Sequence, residues 1–223
     1  MLQKTRGLVL NYLRYRETSI IVKIYTEEFG VQTYIENGVR SSKGKNKIAL
    51  FQPLTLLELV VYFKEKGGIQ RLSELKVDQA YQHIPFDITK STIALFITEL
   101  LSKTLKEETK NPQLYQFLRE SLIWLDLAES GYENFHVWFL LRLSLYLGFE
   151  PQTAQQLTLE LRDAGYPIHQ ELTALDALRQ DPDLKISRSE RNYLLEILLK
   201  FYELHVEELG EIKSLEVLRA VFS

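Results

Sequence analysis

The sequence predicts an α+β chain in two parts, an N-terminal five-stranded β-barrel over residues 1–80 followed by an all-α helical domain over residues 81–223. Two observations carry that expectation. Hydrophobic periodicity changes from strand-like to helix-like near residue 80, and the sign of the charge changes at the same border. Residues 1–80 hold 13 Lys+Arg against 8 Asp+Glu, and residues 81–223 hold 14 against 22. The whole chain is therefore −3, which hides a basic front and an acidic back. That asymmetry suits a chain of which only one part meets a polyanion.

Five short runs rich in β-branched and aromatic residues read as strands: GLVLNYLRY (7–15), SIIVKIYTE (19–27), VQTYIENGV (31–39), LTLLELVVYF (54–63) and IQRLSELKV (69–77). Between them fall Phe29-Gly30, Asn37-Gly38, the run from Ser41 to Lys47, Gln52-Pro53 and Gly67-Gly68. Gly67-Gly68 can supply the positive φ angles of a tight hairpin. Five strands in some 80 residues fit an OB-type barrel, which carries an oligonucleotide-binding face. An SH3-like barrel fits the same strand count.

Beyond residue 80 the period is helical. Ile93, Phe96, Ile97, Leu100, Leu101 and Leu105 form one stripe. Asn111-Pro112 opens a second segment, with Leu114, Phe117, Leu118, Leu122 and Leu125 in register. Phe135 to Leu147 is apolar nearly all round, the mark of a helix buried at the centre of its domain. Gly148 and Pro151 should end it. Ser187 with Glu190 reads as a capping box for a helix reaching about Leu209, and Ser214 to Phe222 as a last short helix.

The composition excludes several chemistries. With no cysteine there is no disulfide, thiolate catalysis or cysteine zinc site. His83, His136, His169 and His205 lie at no ligand spacing, and phosphate-loop, dinucleotide and serine-hydrolase motifs are missing. The expectation is a non-enzyme without metal or cofactor. The N-terminus has no signal-peptide pattern and no segment is apolar enough to span a membrane, so a cytoplasmic protein is expected.

The basic residues of the front part are the lead. Arg40, Lys43, Lys45 and Lys47 alternate with Ser41, Ser42, Gly44 and Asn46 between the third and fourth strands. Positive charge among small polar neighbours can approach a phosphate backbone closely; a merely solvating loop is the alternative. Lys4, Arg6, Arg14 and Arg16 flank the first strand, and Lys64, Lys66 and Arg71 surround the last turn. Tyr12, Tyr15, Tyr25, Tyr34 and Tyr62 could stack on bases or fill the barrel.

Read in order, TRGLVLNYLRYRETSIIVKIYTEEFG, NGVRSSKGK and FQPLTLLELVVY resemble the opening of RecO proteins. FDITKSTIALFITELLSKTLKEE, NPQLYQFL, NFHVWFLLRLSLYLGFEP and GEIKSLEVLRAVF resemble that family's helical core and end. The resemblance implies a recombination mediator in DNA repair. Such a protein binds single- and double-stranded DNA and anneals complementary strands. It also binds the C-terminal tail of single-strand DNA-binding protein and works with RecR, and indirectly with RecF and RecA. Arg40, Lys43, Lys45 and Lys47 match the family's basic loop and Arg6 its basic strand start; with Arg14 and Arg16 they are the expected DNA contacts. The family's tail pocket lies in the helical domain, where Arg142 is the expected carboxylate partner, followed by Lys103 and Lys106. An internal ion pair is the alternative role for Arg142. Many family members carry a four-cysteine zinc module; this chain, without cysteine, has a short segment around Gln152 to Gln170 instead. An RNA-binding barrel and a pure interaction scaffold remain as rival functions.

Overall fold

The computed structural model describes residues 1–40, 47–64, 67–170, 172–181 and 183–222. Two compact units emerge, Met1–Gln82 with Leu100–Ile123 and His83–Glu99 with Trp124–Ser223. Residues 100–123, read from the sequence as part of the helical domain, thus pack in the unit of the barrel.

In the first unit, strands β1 (Leu2–Tyr15), β2 (Ser19–Thr26), β3 (Gly30–Glu36), β4 (Leu56–Tyr62) and β5 (Gln70–Gln79) close into a barrel in the order β1-β2-β3-β5-β4. Strand alternation drives this closure: Val9, Ile20, Val22, Ile24, Tyr34, Leu57, Leu59 and Val61 point inward and fill the centre together with Val39 and Phe51. The order settles the choice between barrels. β5 lies parallel to β3 and antiparallel to β4, the Greek-key closure of an OB-type barrel. That parallel joint is short, pairing only Tyr34 with Gln70 and Ile35 with Arg71. Buried side chains reinforce it: Gln70 Nε2 donates to Gln32 Oε1 at 2.6 Å, and Gln32 Nε2 to the Phe29 carbonyl at 2.8 Å.

β1 starts five residues earlier than the sequence pattern suggested. Lys4 and Arg6 looked like flanks, but they occupy alternate positions of a continuous ladder running from Leu2↔Tyr62 to Leu8↔Leu56. Gly67-Gly68 does not make a two-residue hairpin either. The β4–β5 pairing ends at Tyr62↔Arg71, so a longer loop spans the gap, with Gly68 at φ +102°. A 3-10 turn, Ile48–Phe51, carries Phe51 into the core.

The segment of the same unit that follows α1 (Ile88–Thr104) covers the start of β3. α1 and α2 (Pro112–Leu127) are joined by a linker that acts as an extra edge: Val31 N–H donates to the Glu107 carbonyl at 2.9 Å and Tyr25 Oη to the Asn111 carbonyl at 3.3 Å. Arg119 Nε donates to Asp78 at 2.8 Å, tying α2 to β5.

The second unit is built around α3 (Phe135–Leu147), whose buried face includes Phe135, His136, Phe139, Leu140 and Leu143. Gly148 caps it in the left-handed region at φ +87°. α3 packs on α6 (Arg188–His205), where Tyr202 Oη donates to the Leu140 carbonyl at 2.7 Å. Ser187 caps α6 as expected, its Oγ accepting from Glu190 N–H, but α6 ends at His205 rather than near Leu209. α4 (Ala154–Asp163) and α5 (Thr173–Gln180) each bury two leucines. α7 (Ser214–Val221) is capped from α1, with Glu99 accepting from the backbone N–H of Lys213 and Ser214. Buried Lys90 likewise donates to the Asp126 and Ala128 carbonyls at 2.8 and 2.6 Å, a cation on the end of a helix.

Candidate nucleic-acid interface

A rim of the barrel collects cations. The β1–β2 turn projects Arg14 and Arg16, both exposed. The segment after β3 folds back on that turn: Arg40 N–H donates to the Thr18 carbonyl at 3.0 Å, and the Arg40 guanidinium to the Arg16 carbonyl at 3.3 Å. Arg40, distant in sequence, is thereby brought to the edge that carries Arg14 and Arg16, and no ion pair links any of the three to a carboxylate among the described residues. Arg16 holds φ +50°, a left-handed backbone that a non-glycine residue seldom takes, and its guanidinium lies 5.2 Å from the centre of the Tyr15 ring. Glu17 is the acidic member of this turn.

The other expected contacts are distributed as follows. Lys47 is in an ion pair with Glu36, which compensates its charge. Lys43 and Lys45 lie outside the described residues. Arg6 is not at the rim. It sits on β1 in a forked pair with Glu27, Nε at 2.8 Å and Nη2 at 2.6 Å from the two carboxylate oxygens, and 5.4 Å from the centre of the Tyr115 ring. Those hydrogen bonds raise the Arg6 pKa still further and hold the Glu27 carboxyl below its ordinary value. Arg6 also lines a cavity of about 600 Å³ where Glu27, Glu28, Glu58 and Glu74 outnumber Lys4, Arg6 and Lys76. That balance of charge disfavours a polyanion on this side of the barrel.

Arg6 therefore predicts a stability effect rather than a binding effect. Arg6→Met should cost about 1–2 kcal/mol by leaving a partly buried carboxylate unpaired, and adding Glu27→Gln should return part of that loss. Denaturant unfolding of the two single variants and the double variant checks it; a purely additive cycle would contradict it.

In the second unit, Arg142 is half-buried on α3 with its Nη1 3.7 Å from Glu150, which Arg179 also approaches at 3.9 Å. This is the internal pair named above as its alternative role. Lys103 closes α1 and Lys106 follows it; both belong to the unit of the barrel, whereas Arg142 does not. The segment around Gln152 to Gln170 forms α4 and a turn. Arg179 fastens it by donating to the Pro151 and Gln152 carbonyls. Among the described residues no three His, Asp or Glu side chains gather as a metal-binding group, and no helix is long and apolar enough to cross a membrane. Sequence reading missed Lys23, a mid-strand cation of β2 whose outward direction follows once β2 is paired with β1 and β3.

An OB-type barrel with a cationic rim, followed in the chain by an all-helical part, defines the class: a two-part protein built on an oligonucleotide-binding fold. The family model described as Recombination protein O N terminal matches residues 1–81, and Recombination protein O C terminal matches residues 85–216. The chain belongs to the RecO family. It is 35% identical to the DNA repair protein RecO of Flavobacterium johnsoniae over 99% of each chain. Identity is 35% to that of Phocaeicola vulgatus over 100% of each, and 36% to that of Flavobacterium psychrophilum over 99% of each.

Proposed function

We propose that this chain is a DNA-binding mediator of recombinational repair, which binds and anneals single strands, also contacts duplex DNA, and breaks no bond itself. The observation that carries the reading is the rim where Arg14, Arg16 and Arg40 converge without carboxylate partners among the described residues. Unpaired guanidinium groups on a barrel edge release counterions when they meet a phosphate backbone, and such contacts position DNA without reading its sequence. The shared name of its relatives, DNA repair protein RecO, supports the same role. In that role the chain acts with the C-terminal tail of single-strand DNA-binding protein, with RecR, and through them with RecF and RecA. Arg142 is the proposed contact for the carboxylate of the acidic tail, exchanging Glu150 for it; Lys103 and Lys106, in the other unit, are separate and weaker candidates for contact with the tail.

The test is fluorescence anisotropy on a labelled single strand across a salt series. Replacing Arg14, Arg16, Arg40 and Lys43 by Ala should flatten the slope of log K against log salt by about 2–3, since each lost phosphate contact on a single strand is worth about 0.7. A wild type that fails to bind at low salt refutes the reading. Arg16→Gly sharpens the test. Glycine accepts φ +50°, so stability should hold or rise by up to about 1 kcal/mol while affinity falls. A fall in both would mean that Arg16 serves the turn.

A further inference from the structure

The turn from α6 to α7 is held in a strained form, and it builds a groove. Glu208 and Gly210 both sit at φ +57°, and Leu209 between them turns inward, as does Ile212 just after. The start of α7 is then fixed from α1: Glu99 accepts from the Lys213 and Ser214 backbone N–H at 2.9 and 2.8 Å and from Ser214 Oγ at 2.7 Å. On α6, Glu196, Leu199, Lys200 and Glu203 stand at i, i+3, i+4 and i+7 and share the face that lines the groove. The space between is about 340 Å³, with Leu199, Leu209, Ile212 and Leu215 among its lining residues.

We infer that this groove docks a cationic amphipathic helix of a partner protein, whose aliphatic side chains enter between α6 and α7 while its Lys or Arg side chains meet the surrounding carboxylates. Charge decides the occupant. Glu196, Glu203, Glu211 and Glu216 line the groove against two cations. Both cations are engaged internally: Lys200 Nζ donates to Glu203 at 2.9 Å, and Arg219 reaches Glu196 at 3.9 Å. Residues 196–219 hold six Glu against three Lys+Arg, a surplus as large as the −3 of the whole chain. A nucleic acid or an acidic peptide meets repulsion there, and an uncharged helix would cover carboxylates without pairing them. Carboxylates on both α6 and α7 beside an apolar floor are the complement of a helix whose apolar stripe is flanked by cations. The groove is at the small end of ligand pockets, which run to roughly 300–1,000 Å³, so it takes a few side chains and not a folded domain. The Glu99 anchor holds α7 in place, so docking has little left to order. This occupant is opposite in charge to the acidic tail proposed for Arg142, and it stands whether or not the barrel binds DNA.

The experiment titrates the full chain with a labelled synthetic peptide, Leu at i, i+3, i+4 and i+7 and Lys elsewhere. Anisotropy is followed at fixed salt, together with the isoleucine methyl signals in NMR. Wild type should bind with Ile212 the isoleucine that shifts most, and the same peptide with Glu in place of Lys should not bind. Glu211→Gln with Glu216→Gln, and separately Leu215→Ser, should each weaken binding by about tenfold, with far-UV circular dichroism verifying the helices. Glu58→Gln with Glu74→Gln, in the acidic cavity of the barrel, should leave binding unchanged. Loss in that barrel variant, an unshifted Ile212, equal binding of the Glu peptide or no binding by wild type each overturns the proposal. Sedimentation tests the remaining occupant: self-association of wild type that Leu215→Ser abolishes would put a second copy of the chain in the groove and overturn the partner helix.

Discussion

Gly30→Ala should destabilise the barrel unit by about 3 kcal/mol or more. Gly30 opens β3 at φ +63°, and a Cβ built there would lie 2.5 Å from the Thr109 backbone nitrogen and 2.6 Å from the Glu107 carbonyl oxygen. A side chain in the left-handed region costs about 1–2 kcal/mol in its own right. The clash adds about 1–3 kcal/mol because both obstacles are backbone and cannot swing aside. The contact at stake is the one that ties the linker to the start of β3, Val31 N–H to the Glu107 carbonyl at 2.9 Å. Pushing the linker away leaves the buried start of β3 with an unpaired donor. Both tryptophans, Trp124 and Trp138, belong to the other unit, so their fluorescence is an internal reference. Amide exchange along β2 and β3 should accelerate at Gly30→Ala while the tryptophan transition holds its place. A variant whose β2–β3 amides exchange at the wild-type rate would show that the linker yields without cost.

Much of the fold could be read directly from the chain, and what could not has physical causes. Strong patterns survived: five strands, the central helix ending at Gly148 and the Ser187 cap all follow from local rules that tertiary contacts did not override. Strand order was not readable, because the insertion of β5 between β3 and β4 depends on two residue pairs and on buried Gln32 and Gln70, which look like surface residues in sequence. α4 and α5 were overlooked because each shows only two buried leucines among polar residues, too few to set a period. The site follows the same logic. Arg14, Arg16 and Arg40 were visible as charges, but their convergence requires the segment after β3 to fold back on the β1–β2 turn. Arg6 shows the converse: its charge was equally visible, yet Glu27, twenty-one residues away, consumes it. Lys23 becomes an outward cation only once register is known, since a strand residue's face is fixed by its partners.

Acid should expose a single histidine. His136 is buried on α3 between Phe96 and Phe222, with ring centroids at 6.3 and 5.3 Å, and its Nδ1 has no hydrogen-bond partner. Burial, and then the positive charge of Arg191, push its pKa from 6.5 down to about 3. In the unfolded chain it returns to about 6.5. The unfolded state therefore binds a proton below pH 6.5 that the folded state refuses, and stability falls as pH drops through the interval from 6.5 to 3. The His136 contribution is fully present above pH 6.5 and amounts to a loss of about 3 kcal/mol by pH 4.5. His136→Leu removes the titrating group and the orphaned nitrogen while leaving an apolar side chain for the two phenylalanines. At pH 7 the variant should match wild type within about 1 kcal/mol. By pH 4.5 it should be the more stable by about 3 kcal/mol. Trp124 stacks on Phe135 at 5.5 Å, one residue from the site, so tryptophan fluorescence in denaturant follows the right unit. Carboxylates such as Glu27 also lose stability in acid, but they do so equally in both proteins, and the difference between the two curves isolates His136. Curves that run parallel from pH 7 to pH 4.5 would place the imidazole in contact with water and refute its burial as the cause.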